Sequence, residues 1–424
     1  MNWKTNEYLL NNKNAMKKYI NRNVLDMSRE RIAYTFDNFD RVYISFSWGK
    51  DSTVMTHLVL AEAKKRNRKV WLLIIDLEAQ YDDTINHIEK MTEMYKDNID
   101  LHWFCWELLL RNALSSFEPK WCCWDSSKKD EWVRKMPEKA ADLTQYDFYT
   151  PWMEFEEMMV LFWERYSQGK LTWWFIGIRS DESLHRYSAI VSPKIGKMYW
   201  SKKRTTKVSD NLFNIYPIYD WKTADIWIFH GKNKDLPYNN VYEKMQKAWV
   251  PLWDQRLCQP YWDDQKKGIW LYQILEPNTR HRLLQRVSWV NSGALYIKER
   301  GSITGSSYID KPEWYNWEKY CNFLLSTLPP KTMKNYKDRF KIFIAWWKKR
   351  WYKKIPDEAP HDLETQSRAP SRKRMCRSIL RNDYYCKWLW QTQPKSEAYL
   401  KYKQIKFLNK QKEELKKNNN YLSS

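Results

Sequence analysis

The segment Arg41–Ser52 reads RVYISFSWGKDS, a strand pattern followed directly by a short polar loop. Residues 41–46 are mostly β-branched or aromatic, which is typical of a short buried strand. Residues 52–66 have the composition of a helix. In doubly wound α/β folds, the loop between a strand and the next helix presents backbone N–H groups and a helix N-terminus to an anion. The segment therefore predicts a phosphate-binding loop at residues 47–52.

Strand and helix patterns alternate on both sides of this loop. Residues 23–39 and 82–95 predict helices, and residues 70–75 (VWLLII) and 101–105 predict strands. Strands separated by helices of about a dozen residues are typical of parallel βαβ units. We therefore expect the α/β class, a doubly wound parallel sheet with a mostly helical, basic C-terminal extension. The expected regions are a helical lead-in (1–40), the α/β domain (41–230), a further extension (231–330) and a basic, aromatic-rich region with a tail (331–424).

Composition narrows the class of protein. The 424 residues carry a net charge of +22 and include 27 Trp, 28 Tyr and 15 Phe, which excludes a peptide or a disulfide-stapled mini-protein. The seven cysteines are odd in number and irregularly spaced, so we expect reduced thiols. No apolar run approaches the roughly 18 residues that a membrane-spanning helix needs. We therefore expect a cytoplasmic protein that does not enter a membrane.

The loop residues have side chains suited to an anion. Gly49 permits a close approach of the backbone, Lys50 supplies a cation, and the hydroxyls of Ser47 and Ser52 are further donors. Asp51 is unusual beside an anion, and it either caps the helix or helps to hold a Mg²⁺ ion that bridges phosphates. The loop is not a Walker A motif, because no glycine stands at the required earlier position and Asp follows the lysine.

Three motifs in chain order carry a family resemblance. The loop FSWGKDS resembles the S-G-G-x-D-S pyrophosphate loop of the adenine-nucleotide α-hydrolase superfamily, a PP-loop, HUP-like fold that includes ATP pyrophosphatases and phosphoadenosine phosphosulfate (PAPS) reductases. Trp48 stands where that family has its first glycine. Residues 173–186 (WWFIGIRSDESLHR) and 214–227 (NIYPIYDWKTADIW) resemble two further PAPS reductase motifs. Residues 257–277 and 287–296 resemble the IbrA-type subfamily, which carries a domain of unknown function.

The resemblance implies an enzyme that uses ATP and Mg²⁺. In the superfamily's pyrophosphatases, a substrate attacks the α-phosphate, and pyrophosphate stays in the loop. The catalytic residues expected on this basis are Lys50, Asp51 and Arg179, and Asp51 is also the expected metal ligand. The expected nucleotide-binding residues are Ser47, Trp48, Gly49, Lys50, Asp51, Ser52, Asp76, Arg179, Glu182 and Arg186. Two alternatives stay open: Asp76 as a simple turn residue, and Arg179 with Glu182 as an ion pair at a strand end.

Thiol chemistry is the competing interpretation. The related reductases use a cysteine in an E-C-G-x-H segment, which neither Cys376 nor Cys386 matches, although cationic neighbours would lower the pKa of Cys376. Cys122 and Cys123 are similar to a cluster-binding pair, but no C-x-x-C follows them, and Cys105 and Cys258 would have to complete the site. We therefore expect neither sulfonucleotide reduction nor an iron–sulfur cluster.

The basic charge is concentrated at the C-terminal end, where residues 331–424 hold 25 Lys and Arg against 9 Asp and Glu. Residues 331–354 interleave cations with aromatic side chains, and a second cluster lies at residues 372–381. This pattern predicts nucleic-acid contact through residues 331–381. The alternative is a buried aromatic stripe at helical spacing (Phe340, Phe343, Trp347, Trp351) with a solvated basic face.

Two further functions remain as alternatives to an ATP-cleaving enzyme. One is a DNA-binding transcriptional or phage-defence regulator whose nucleotide pocket is a sensor or a vestige. The other is a sulfur-transfer enzyme, which would need an essential cysteine. The resemblance also implies a ParB/sulfiredoxin-like partner protein and a mobile-element or phage-related setting.

Overall fold

The computed structural model describes residues 21–191, 205–209, 212–252, 254–263, 269–287, 309–350, 352–366, 368–397, 399–405, 407–408 and 411. By packing, the chain forms two compact units. The first comprises residues 1–74, 87–102 and 167–239, and the second comprises residues 75–86, 103–166 and 240–424. The four regions expected from the sequence stay a prediction.

The described elements alternate through the first half of the chain and are mostly helical afterwards. The strands are β1 (Arg41–Ser45), β2 (Val70–Ile75), β3 (Ile99–Phe104), β4 (Leu108–Arg111), β5 (Lys120–Cys123), β6 (Met153–Glu154), β7 (Thr172–Phe175), β8 (Thr205–Ser209) and β9 (Leu212–Ile215). The helices are α1 (Val24–Asn38), α2 (Lys50–Lys65), α3 (Asp82–Met94), α4 (Phe155–Ser167), α5 (Leu184–Val191), α6 (Thr223–Lys232), α7 (Val241–Lys247), α8 (Leu271–Leu275), α9 (Pro277–Arg286), α10 (Trp317–Ser326), α11 (Pro330–Lys348), α12 (His361–Thr365) and α13 (Arg372–Leu380).

A six-stranded sheet in the order β3–β2–β1–β7–β9–β8 organises the α/β part. β1 pairs in parallel with β2 on one side and with β7 on the other. Val42, Tyr43 and Ile44 of β1 are buried, as expected for a central strand with both faces covered. The predicted α/β class and parallel sheet are confirmed. The antiparallel edge strand β8, which pairs with β9, was not predicted.

The strand order places a topological switch at the centre of this sheet. From β1, the chain first adds strands on one side (β2, then β3) and later on the other (β7, then β9). In open α/β sheets, ligands bind at the carboxyl ends of the strands where this reversal occurs. The ends of β1 and β7 therefore mark the expected site.

The second unit contains a smaller sheet and the helical C-terminal region. Its strands lie in the order β5–β4–β6, with β4 antiparallel to β5 and parallel to β6. Helices α10, α11 and α13 share an apolar core that includes Trp317, Tyr336, Phe343 and Met375. The predicted helical C-terminal region is confirmed.

Candidate functional site

The loop between β1 and α2 lies at the switch point of the sheet. α2 begins at Lys50, and Gly49 is its N-cap with an extended backbone (φ −73°, ψ 160°). Glycine has no side chain that could cap the first N–H groups of the helix, which have no acceptor within the helix itself. Thr53 N–H donates to the Gly49 carbonyl at 2.9 Å. The first turn of α2 is thus closed by this helical hydrogen bond and has no side-chain cap.

Two hydroxyls close the loop on itself. Ser47 Oγ lies 3.0 Å from Ser52 Oγ, and Ser52 Oγ donates to the Gly49 carbonyl at 3.1 Å. Gly49 N–H donates to the Ser47 carbonyl at 2.6 Å. The two serines predicted to contact a phosphate therefore lie side by side at the start of α2.

Gly177 is a site residue that the sequence analysis missed. It follows β7, and a Cβ atom at this position would lie 2.8 Å from Ser52 Cα and 3.0 Å from Ser52 N. A side chain would therefore force the backbone of the loop to move. The available signal was the glycine itself, since the whole chain has only 9 glycines and each is expected where the backbone needs it.

Arg179 and Asp51 form a buried ion pair at the first turn of α2. Arg179 Nε donates to Asp51 Oδ1 at 2.5 Å, and its terminal nitrogens lie 3.3 Å from the Trp221 carbonyl and from Thr223 Oγ1. Only 2% of Arg179 is exposed. The guanidinium is therefore bound by protein groups, which fits a positioning role, and its predicted contact with phosphate stays a prediction.

Asp51 does not fit the metal-ligand role that the sequence predicted. Its Oδ1 atom accepts from Arg179, and its Oδ2 atom lies 3.6 Å from Lys50 Nζ. Both oxygens thus face cations, whereas a Mg²⁺ ligand directs an oxygen at the metal. Among the residues that the structure describes, no group of three or more His, Cys, Asp or Glu side chains could hold a metal ion.

Glu182 and Arg186 form the second charged pair of the site. Arg186 Nη1 lies 3.0 Å from Glu182 Oε2, which also accepts from the Arg179 backbone N–H at 3.2 Å. Burial and the charge of Asp51 raise the pKa of Glu182. The Arg186 side chain is 46% exposed, so it is the guanidinium of this site that solvent reaches.

Trp48 occupies the position of the family's first glycine in a backbone conformation that favours glycine. Its φ is +49°, in the left-handed region. Only 6% of the residue is exposed, and its carbonyl accepts from Asn239 Nδ2 at 3.3 Å. Within the described residues the indole Nε1 has no hydrogen-bond partner. The unusual tryptophan thus preserves the turn and buries its ring.

Asp76, predicted to bind the nucleotide, belongs to a buried network of the second unit. It accepts from Trp103 Nε1 at 3.0 Å and from the Glu78 N–H at 3.1 Å, and it pairs with Arg134. Glu78 in turn pairs with Arg286 at 2.7 and 3.1 Å. Asp76 is fully buried, so this carboxylate stabilises the network, and its predicted role in nucleotide binding stays a prediction.

The seven cysteines are free thiols. Cys105, Cys122, Cys123, Cys376 and Cys386 are buried. Burial raises the pKa of Cys122 to about 12. A hydrogen bond with Cys321, together with burial, raises the pKa of Cys376 well above its usual value. The expectation that cationic neighbours lower the pKa of Cys376 is therefore wrong.

The basic C-terminal region is mainly a helical core with charge on its outer face. Tyr336, Phe340, Phe343 and Trp347 of α11 are buried in the core, which confirms the buried-stripe alternative for those residues. Trp351 lies outside the described residues. Trp346 is 42% exposed, with the Arg350 guanidinium 3.4 Å from its ring centroid. The exposed cations on and after α11 are Lys331, Lys334, Lys337, Lys341, Lys348, Lys349, Arg350, Lys353 and Lys354.

The second basic cluster is largely engaged within the protein. Arg372 Nη2 lies 2.7 Å from Glu318 Oε1. Arg374 is buried and donates at 2.5 Å to the carbonyls of Glu364 and Trp388. These arginines therefore stabilise α13, which leaves α11 as the exposed basic surface. Of the predicted segment 287–296, residues 288–296 lie outside the described residues.

Comparison with known proteins gives two family matches. Residues 41–248 match the phosphoadenosine phosphosulfate reductase domain, and residues 249–352 match a domain of unknown function, DUF3440. The uncharacterized protein YbdN of Escherichia coli is 37% identical over 383 residues, which cover 90% of this chain and 93% of YbdN. The uncharacterized protein MJ0973 of Methanocaldococcus jannaschii is 24% identical over 243 residues, covering 57% of this chain and 47% of that protein.

One solved structure that matches part of the chain is the phosphoadenylyl-sulfate reductase of Candida auris in complex with phosphate. It is 13% identical, and the similarity covers 54% of this chain and 94% of that chain with a TM-score of 0.30. Among the described residues, no helix is long and apolar enough to cross a bilayer.

Proposed function

Because the chain belongs to the same family as YbdN and carries a PAPS reductase domain, we propose that residues 47–52 bind the phosphate chain of ATP or a related adenine nucleotide. The observation that carries the proposal is the packing of this loop at the switch point. There the Gly177 backbone leaves no room for a side chain against Ser52, and the first turn of α2 has no side-chain cap.

The reaction that we propose is cleavage of the nucleotide at its α-phosphate. A nucleophilic oxygen of the acceptor forms a bond to the α-phosphorus, and the bond from that phosphorus to the bridging oxygen of pyrophosphate breaks. Negative charge then accumulates on the leaving pyrophosphate, and donors already in place stabilise it. The helix N-terminus and Lys50 are those donors, and the serine hydroxyls, which bond to each other and to the Gly49 carbonyl in the free loop, turn towards the ligand when it binds. Asp51 and Arg179 position the turn that presents them.

Mg²⁺ is the cofactor that this chemistry usually employs, because it neutralises charge on bridging phosphate oxygens. The oxygens of Asp51 already face Arg179 and Lys50, so this chain does not present that carboxylate to a metal. The proposed reaction therefore does not depend on a Mg²⁺ ion held by Asp51. The exposed Arg186 is the side chain that we assign to the outer phosphate or to an acceptor oxyanion.

Calorimetry with ATP, AMP and pyrophosphate tests the binding step. We expect Lys50→Met to weaken ATP binding by about tenfold or more, because a charge-assisted hydrogen bond contributes roughly 1.5–3 kcal/mol. Lys64→Met is the matched control, since Lys64 is exposed near the other end of the same helix. If neither ATP nor pyrophosphate binds the unmodified chain, the proposal fails.

Product analysis tests the cleavage step. Incubation of the chain with ATP, with and without Mg²⁺ and with DNA or RNA as acceptor, should release pyrophosphate together with an adenylated acceptor or AMP. Release of ADP and inorganic phosphate alone would contradict cleavage at the α-phosphate. Tight ATP binding without turnover under any of these conditions would support the alternative of a nucleotide-sensing regulator.

The exposed lysines of α11 support a second proposal, that this helix contacts nucleic acid. Lys334, Lys337 and Lys341 lie on its exposed side, while most of its aromatic side chains are buried, so the contact is made to phosphates and not by base stacking. Fluorescence anisotropy with labelled DNA and RNA should show binding that weakens with salt, and a triple lysine-to-glutamine variant should flatten that salt dependence. A salt-independent affinity would contradict the proposal.

Thiol chemistry has less support from the described residues. Cys376 and Cys386 are fully buried, and burial raises the pKa of each, so neither is a ready thiolate. Full activity of single Cys→Ser variants would remove sulfur transfer as an alternative.

We retain the ParB/sulfiredoxin-like partner as a proposal, to be tested by co-purification with a co-expressed protein of that family.

A further inference from the structure

His230 is a buried histidine in the last turn of α6, and no motif in the sequence drew attention to it. Only 6% of the residue is exposed. Its ring packs against the aromatic rings of Trp227, Phe229 and Tyr238, with centroid distances of 5.9, 6.0 and 5.2 Å. The imidazole is therefore held in one place by apolar contacts.

Both ring nitrogens of His230 lack a hydrogen-bond partner among the residues that the structure describes. Two other buried histidines of the same unit differ in this respect. His57 pairs with the Tyr95 hydroxyl at 2.9 Å and with the Pro237 carbonyl at 2.8 Å. His87 Nε2 pairs with Thr53 Oγ1 at 3.0 Å, although its Nδ1 has no partner among the described residues. An unsatisfied buried donor is costly, so it requires an explanation such as a bound ligand.

The surroundings of His230 place it at the first turn of α2. The backbone of Lys50 and the charge of Asp51 both act on the ring and favour its protonated form. The segment after α6 also reaches the loop directly, since Asn239 donates to the Trp48 carbonyl at 3.3 Å. The unsatisfied nitrogens therefore belong to the same turn as the proposed phosphate site.

We propose that His230 donates a hydrogen bond to a phosphate oxygen of the nucleotide held by residues 47–52. The inference rests on the proposed function and adds a specific phosphate contact to it. Burial lowers the pKa of His230, so near pH 7 the ring is neutral and has one N–H donor. A bound phosphate oxygen would satisfy that donor, for which no described residue supplies an acceptor in hydrogen-bonding geometry.

Two replacements of His230 separate a ligand contact from a structural role. His230→Leu removes the donor but keeps an apolar side chain in the aromatic pocket. We expect pyrophosphate affinity to fall by about tenfold, while the melting temperature of the ligand-free protein stays the same or rises, because a buried unsatisfied group is removed. His230→Gln restores an N–H donor and should bind pyrophosphate within about threefold of the unmodified chain.

His57→Leu is the matched control, because both nitrogens of His57 are satisfied in the free protein. Its replacement should lower the melting temperature of the ligand-free protein, in contrast to His230→Leu. The measurements are calorimetric titration with sodium pyrophosphate and thermal unfolding without ligand.

The outcomes distinguish this inference from the proposed function. If the unmodified chain binds pyrophosphate and His230→Leu binds it equally well, the phosphate contact is overturned and the proposed function stands. If His230→Gln binds as weakly as His230→Leu, the donor role is likewise overturned. If the unmodified chain binds neither pyrophosphate nor ATP, both proposals are overturned.

Discussion

Acidification should destabilise the α/β unit through its buried histidines before its carboxylates titrate. Burial lowers the pKa of His57 from 6.5 to about 4 and that of His87 from 6.5 to about 3. In the unfolded chain each ring takes up a proton near pH 6.5, whereas in the folded chain it stays neutral. Their stabilising effect is thus complete above pH 6.5, and it is lost as the pH falls towards the folded pKa values.

The slope of this effect follows from proton linkage. One excess proton in the unfolded state lowers the free energy of unfolding by about 1.4 kcal/mol per pH unit. Because each unfolded ring is only about half protonated at pH 6.5, the two rings together predict a loss of roughly 2 kcal/mol between pH 6.5 and pH 5.5, against the roughly 5–15 kcal/mol that stabilises a typical domain. The lowered pKa values of His230 and His102 add to this loss. The raised pKa of Glu182 and of Glu276 opposes this trend at lower pH, so the window stops at 5.5.

Urea unfolding followed by tryptophan fluorescence at pH 7.0, 6.5, 6.0 and 5.5 measures this slope. His57→Gln should reduce the loss between pH 6.5 and pH 5.5 by about 1 kcal/mol, because the excess proton of one ring is removed. His361→Gln is the control, since His361 is exposed and its ring is solvated in both states. If His57→Gln and the unmodified chain lose stability equally between pH 6.5 and 5.5, the reasoning is refuted.

Three substitutions test the packing of the site and of the second unit. Gly177→Ala should weaken ATP binding at least tenfold and lower the free energy of unfolding by about 1–3 kcal/mol, because the new methyl group displaces the start of α2. Calorimetry measures the affinity and urea unfolding measures the stability. An unchanged ATP affinity would contradict the packing argument. Asp51→Ala should lower the free energy of unfolding by about 3–5 kcal/mol, because it leaves the Arg179 guanidinium buried without its partner. The double variant Arg179→Met, Asp51→Ala should lose less stability than the sum of the two single variants. Glu78→Gln should destabilise the chain by a similar amount while ATP affinity stays constant; a selective loss of ATP binding would show that this carboxylate serves the ligand.

The strand–loop–helix unit at residues 41–65 could be predicted because each of its signals is local. The strand pattern, the glycine and the helical composition follow one another within 25 residues, and the structure places β1, Gly49 and α2 there. The helical spacing of Phe340, Phe343 and Trp347 likewise predicted one buried face of a helix, and these side chains are buried in α11.

The roles of Asp76 and Arg179 depended on partners far away in the chain. Asp76 lies after a strand, as predicted, but only the fold brings Trp103 and Arg134 to its carboxylate. Arg179 meets Asp51, which precedes it by 128 residues. A motif shows which side chains are present at a strand end. It does not show which of these side chains already form hydrogen bonds or ion pairs with distant parts of the protein.

The ion pair between Arg179 and Asp51 has a consequence for how an anion would enter the loop. The guanidinium joins the segment after β7 to the first turn of α2 and to the start of α6. The turn is therefore preorganised by folding, and an arriving phosphate group finds its donors already oriented instead of having to order a mobile segment. The conformational entropy of that ordering is lost when the chain folds, so it does not reduce the affinity for the ligand.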